Sequence, residues 1–158
     1  GYFQYVHTNA LRHSTWIDEL LSSGGGRINI SLDSGNAAAY TRVKGGDWWE
    51  NVLASTQKYF AAAITPTQID LKYIVFEENN KIADVEQFFQ VCQQLGAAKV
   101  QLSFNFLEVV GGRVSEHSIA AAAYFMHRAE ELGLACELFF VDAPLRERMD
   151  AARRKFFG

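Results

Sequence analysis

Three observations predict an α/β fold of parallel β/α units. β-rich apolar runs alternate with helical patterns along the whole chain. Each connection is long enough to hold a crossover helix, and strands joined that way run parallel. Strands such as "KYIVF" and "CELFF" also lack clean alternation, the pattern expected when both faces are covered.

The elements follow in order. "YFQYVH" reads as a first strand. "STWIDELLSS" reads as a helix, with Thr15 and Asp18 at capping-box spacing and Gly24–Gly26 as its stop. "RINISL" is the second strand. "DWWENVLASTQKYFAAA" is a long helix with Asp47 as its expected N-cap and Glu50 three residues on. "QIDLKYIVF" is the third strand, and Asn80 is expected to cap the helix "KIADVEQFFQVCQQL", which stops at Gly96. "KVQLSFNF" is the fourth strand. Ser115 opens "EHSIAAAAYFMHRAEEL", which Gly133 closes. "LACELFFV" is the fifth strand, and a basic amphipathic helix follows Pro144. Two architectures fit these five strands: an open doubly wound sheet, or an arc of a β/α barrel, whose complete form needs about 250 residues.

The 158 residues suit one domain spanning 1–158. A net charge of −3 points to neither nucleic acid nor a membrane surface, and no apolar run is long enough to span a bilayer. The chain opens on Gly1, without Met, and enters a strand at once, which suggests a segment of a longer protein. Cys92 and Cys136 stand far apart without neighbours at metal-ligand spacing, so two free thiols, no metal site and a reducing cytoplasm are expected. Gly24–Gly26 lie between helix and strand, the reverse of a phosphate loop. His117 and His127 are ten residues apart on one helix, about 15 Å, too far to share a metal. His7, at the end of the first strand, is the histidine nearest the expected site.

Polar residues collect where strands end. Thr8 and Asn9, Ser31 and Asp33, Glu77 to Asn80, then Ser103 and Asn105 follow successive strands. Carboxyl ends of strands are where parallel α/β folds bind ligands. Lys72 lies inside an apolar run, either on an outward face or pointing inward at a carboxylate or phosphate. Together these residues suit a polar small molecule.

In this order and spacing, the segments resemble the radical SAM enzymes. "YVHTNAL" looks like a third barrel strand, with Ala10 where the family usually has glycine after Thr-Asn. "INISLDSGNAAAYTRVKGGDWWENVLASTQKY" looks like the fourth strand and its sequel. "LKYIVFEENNKIADVEQFF" is similar to the fifth, and "LGAAKVQLSF" to the sixth. The resemblance covers most of residues 2–105. It implies part of a SAM-binding partial barrel, whose Cys-x3-Cys-x2-Cys segment for a [4Fe–4S] cluster is not in this chain and is expected upstream. It implies S-adenosylmethionine as cofactor, bound by Ser31, Asp33, Thr8, Asn9 and Ser103, with Lys72 and Asn105 toward a small-molecule or peptide substrate. The chain alone is then expected to be inactive, its parent an enzyme. Exposed strand edges offer a route to self-association. The competing reading is a non-catalytic nucleotide-binding or interaction module, with a flavodoxin-like or half-barrel fold.

Overall fold

The computed structural model describes residues 2–157. Five strands form one sheet: β1 (Gln4–Thr8), β2 (Gly26–Ser31), β3 (Ile69–Val75), β4 (Lys99–Phe104) and β5 (Ala135–Phe139). All neighbours pair in parallel, and the order is β1-β2-β3-β4-β5. A doubly wound sheet must reverse its strand order to place helices on both faces. No reversal occurs here, so the flavodoxin-like alternative is wrong and the sheet is consistent with part of a β/α barrel.

Among the described residues seven α-helices accompany the strands: α1 (Thr15–Ser22), α2 (Ala37–Lys44), α3 (Trp49–Ala62), α4 (Ile82–Leu95), α5 (Phe106–Val110), α6 (Glu116–Glu131) and α7 (Ala143–Phe157). The sequence reading missed α2 and α5, short helices in the loops after β2 and β4. Asn36 caps α2 by accepting from the Ala39 N–H, and Asn105 caps α5. Ser115 opens α6 as expected, accepting from the Ser118 N–H.

Three expected caps do not form. No side chain caps α1, whose Asp18 instead pairs with His13 at 2.8 Å. The cap position of α3 is Trp48, not Asp47, and that of α4 is Lys81. Asn80 turns its amide to Glu77 and Ser118 instead.

Polarity alternates along most of these strands although burial does not, since β4 beyond Lys99 is buried on both faces, as the sequence reading expected. Ile28, Ile30, Ile69, Leu71, Tyr73, Val75, Val100, Leu102 and Phe104 are buried in one core. The helices supply its other half, including Phe88, Phe89 and Phe125 around Tyr73. The intervening residues are largely polar: Arg27, Asn29 and Ser31 on β2, Asp70 and Lys72 on β3, Lys99, Gln101 and Ser103 on β4. The sheet therefore buries its apolar side under helices and keeps a polar inner face. Such a split is the two-residue period of a strand with different environments on its two sides.

Candidate functional site

Registered residues of neighbouring strands share a face, so the inner face can be followed row by row. Asn29, Asp70 and Lys99 form one row, with His7 beside Asn29 on β1. Ser31, Lys72, Gln101 and Glu137 form the next. Ile74, Ser103 and Phe139 form the last row, at the carboxyl ends.

The lower rows are knitted into a belt across all five strands. The Tyr5 hydroxyl donates to Asp70 Oδ2 at 3.0 Å and accepts from Gln101 Nε2 at 3.0 Å. Gln101 also donates to Glu137 at 3.1 Å and accepts from Asn29. Lys99 pairs with Asp70 at 3.0 Å and with Glu137 at 3.4 Å. Arg27 lies 3.6 Å from Asp70 and stacks over Tyr5. A buried polar group is costly unless it is paired, and this belt supplies most of the pairing, leaving the Asn29 Oδ1 without a hydrogen-bond partner.

Above the belt, the ends of β2 and β3 are clamped together. The Lys72 carbonyl accepts from the N–H groups of both Leu32 and Asp33. Asp33 is fully buried and sits at φ 56°, left-handed. Its Oδ1 accepts from the Ile74 N–H at 2.7 Å, and Lys44 of α2 donates to its Oδ2. Burial pushes the Asp33 carboxyl above its ordinary range, and Lys44 pulls it back. Asn79, also fully buried, donates to the carbonyls of Asp33 and Ile74 and accepts from the Phe76 N–H. Gly35 follows without a left-handed backbone. The turn's strained residue is Asp33, and Gly35 is needed for space, since a Cβ there would lie 2.1 Å from the Gln87 carbonyl carbon of α4.

Of the residues singled out from sequence, the structure brings Ser31 and Lys72 side by side, with Ser103 one row beyond on the next strand. Ser103 is 1% exposed and its Oγ has no hydrogen-bond partner. Thr8 pairs with Ile30 and so stands on the helix side, where its hydroxyl accepts from the Ala10 N–H. Asn9 accepts from the Leu11 N–H. Ala10, in the place of the glycine noted above, takes a left-handed φ of 54°. Asp33 spends both oxygens on the clamp. Asn105 spends its side chain on α5, accepting from Leu107 and donating to Glu108.

Sequence reasoning missed Gln101 and Glu137, gave Lys44 only as part of the segment resembling the fourth strand and its sequel, and gave Asn79 only within the polar run Glu77 to Asn80. The alternation within "KVQLSF" was the available signal for Gln101. Lys44 stands before a glycine in its segment, but its role was hidden because its partner Asp33 lies across a loop.

Cys92 is buried in α4, and burial pushes its thiol up. Cys136 is half-buried on the helix side, its thiol pushed up to about 11. Among the described residues no three His, Cys, Asp or Glu side chains gather to hold a metal. No helix of these residues is long and apolar enough to cross a membrane.

The fold and this face define a parallel β/α sheet with a polar inner surface, of the kind found in an arc of a β/α barrel. The chain is similar to the "Probable GTP 3',8-cyclase" of Archaeoglobus fulgidus, 26% identical over 81 residues. The match takes in 51% of this chain and 27% of that protein's length. No protein-family model and no solved structure matches.

Proposed function

We propose that this chain forms the S-adenosylmethionine- and substrate-facing wall of a radical SAM enzyme. The observation that carries the reading is the row Ser31–Lys72, one row below the carboxyl ends of a consecutive parallel sheet and next to the unpartnered Ser103 hydroxyl. The motif order of residues 2–105 and the similarity to a GTP 3',8-cyclase support it.

The residues fit such a cofactor. Ser103 carries a buried hydroxyl in need of a partner, Ser31 a half-buried one, and both stand on the inner face. Ser31 and Ser103 would hold polar groups of S-adenosylmethionine. Lys72, half-buried, has no ion pair among the described residues and would hold an anionic group of the substrate. The relative's name specifies a nucleoside triphosphate, and an anion of that class suits an ammonium at this depth. Asp33, Thr8, Asn9 and Asn105 would shape the rim rather than touch the ligand, because their side chains are already engaged.

The cysteines do not fit a [4Fe–4S] cluster. Three thiolates must converge, whereas Cys92 and Cys136 lie behind the sheet with raised thiols. The cluster belongs, in this reading, to residues outside this chain. S-adenosylmethionine, were it bound here, would supply hydrogen-atom abstraction, and Ser31 and Ser103 would hold it against a face that excludes water.

Calorimetric titration of the full-length protein with S-adenosylmethionine tests the reading. Saturable binding is expected, weakened about 2- to 10-fold by Ser31→Ala, the effect of one lost hydrogen bond. Absence of binding to the folded protein would overturn it.

A further inference from the structure

We infer that Lys44 is a positioning residue for this site: by holding the Asp33 carboxylate it leaves the Lys72 ammonium unpaired and available to an anionic ligand group. The inference rests on reading Lys72 as ligand-binding.

Charge pairing across the inner face carries it. Three carboxylates stand near Lys72, and each is committed to another partner. Asp70 is held by Lys99 at 3.0 Å, by the Tyr5 hydroxyl and by Arg27. Glu137, in the row of Lys72, is held by Gln101 at 3.1 Å and Lys99 at 3.4 Å. Asp33 remains, and it is the carboxylate tied most directly to Lys72. Its backbone N–H donates to the Lys72 carbonyl, and the Lys72 charge acts on its carboxyl.

Asp33 is fully buried, so its charge demands a cation. Lys44 meets that demand from outside the sheet. It reaches in from the last turn of α2, a helix ended by Gly45 at φ 76°. Arg42 anchors the same turn, donating to the Glu78 carbonyl at 3.1 Å and pairing with Asp84 at 2.8 Å. The helix is thus fixed at its carboxyl end, where Lys44 enters. With Lys44 absent, the other cation whose charge acts on Asp33 is Lys72, and pairing there would draw the ammonium off the inner face.

Competitive acetylation with isotopically labelled acetic anhydride reads this without any ligand. In the native full-length protein, Lys44 is expected to react about fivefold more slowly than Lys72, since a charge-assisted bond to a buried carboxylate shields the amine. In Lys44→Met the Lys72 rate is expected to fall by a similar factor. Lys44→Arg should keep it at the native value, and the double variant Asp33→Asn/Lys44→Met should restore it. A merely structural role for Lys44 would not slow Lys72 in a folded variant and then release it when Asp33 is neutralised. An unchanged Lys72 rate in folded Lys44→Met overturns the inference. Should that variant fail to fold, equal native rates for Lys44 and Lys72 overturn it. Titration with S-adenosylmethionine separates the two claims, because its failure would sink the functional reading and leave these rates as they are.

Discussion

Ser31 and Lys72 face each other in the register of β2 and β3, and the Lys72 carbonyl accepts from the two residues that follow Ser31. The hydroxyl, the ammonium and the turn that ends β2 are therefore one mechanical unit. Any change to the turn moves both candidate ligand contacts together.

Asn79→Ala is expected to cost about 2–4 kcal/mol, from three short hydrogen bonds lost in a dry site and the groups left unpaired. Its amide ties the carbonyls of Asp33 and Ile74 and the Phe76 N–H. Urea unfolding of the variant should show the loss in its midpoint. A change under 0.5 kcal/mol, the low end for a single hydrogen bond, would mean that the clamp stands without it.

Gly35→Ala should be more damaging than its one methyl suggests. The added Cβ would meet the Gln87 carbonyl carbon at 2.1 Å and the Phe88 nitrogen at 2.3 Å, both backbone atoms of α4. The loop after β2 must lift or α4 must shift. Thermal unfolding is expected several degrees lower, with binding at Ser31 weakened in the fraction that folds. Retention of both would show that the loop and α4 part at little cost.

Glu86 gives a pH dependence whose sign follows from its partners. The Arg128 guanidinium, hydrogen-bonded at 2.9 Å, and the Tyr124 hydroxyl hold its carboxyl below the ordinary value of 4.5. A carboxylate with a lowered folded value contributes stability above 4.5, and loses it as pH falls through that lowered value. The pair is partly exposed, so the contribution is about 0.5–1 kcal/mol. Glu86→Gln should therefore be less stable than the native protein at pH 7, and the gap should close on acidification below 4.5. Denaturant titrations of both proteins across that range check it, and a gap independent of pH would remove the ion pair as its source.

The parallel fold and the positions of its five strands were readable from hydrophobic runs and helix stops. The order of the strands was not, because periodicity does not report which strand lies beside which. Ser31 and Lys72 could be singled out from local pattern, since each interrupts an apolar strand, and the register sets them side by side. Asp33 could be singled out as well, but its place in the clamp could not. A turn-forming Asp and a ligand-binding Asp look alike until Lys44 and the Ile74 N–H are seen closing on it. The caps failed for a similar reason: Thr15 and Asp47 have the right chemistry, but the chain enters each helix one residue away from where that chemistry could act. The polar inner face was hidden in the run "KYIVF", where Ile74 stands on that face with Lys72 while Tyr73 and Val75 lie in the core.

The belt across the inner face also bears on the order in which the molecule assembles. Its bonds join residues far apart along the chain, with separations of 65 for Tyr5–Asp70, 72 for Asn29–Gln101 and 96 for Gln101–Tyr5. Contacts of such long range close only after the intervening chain has been ordered, at an entropic cost that slows folding. Asn29, Asp70 and Gln101 alternate with the core residues Ile28, Leu71 and Val100 on the same strands, so the floor beneath Ser31 and Lys72 closes together with the sheet. A nascent chain would complete this polar face only once β4 and β5 had joined, as a single late event.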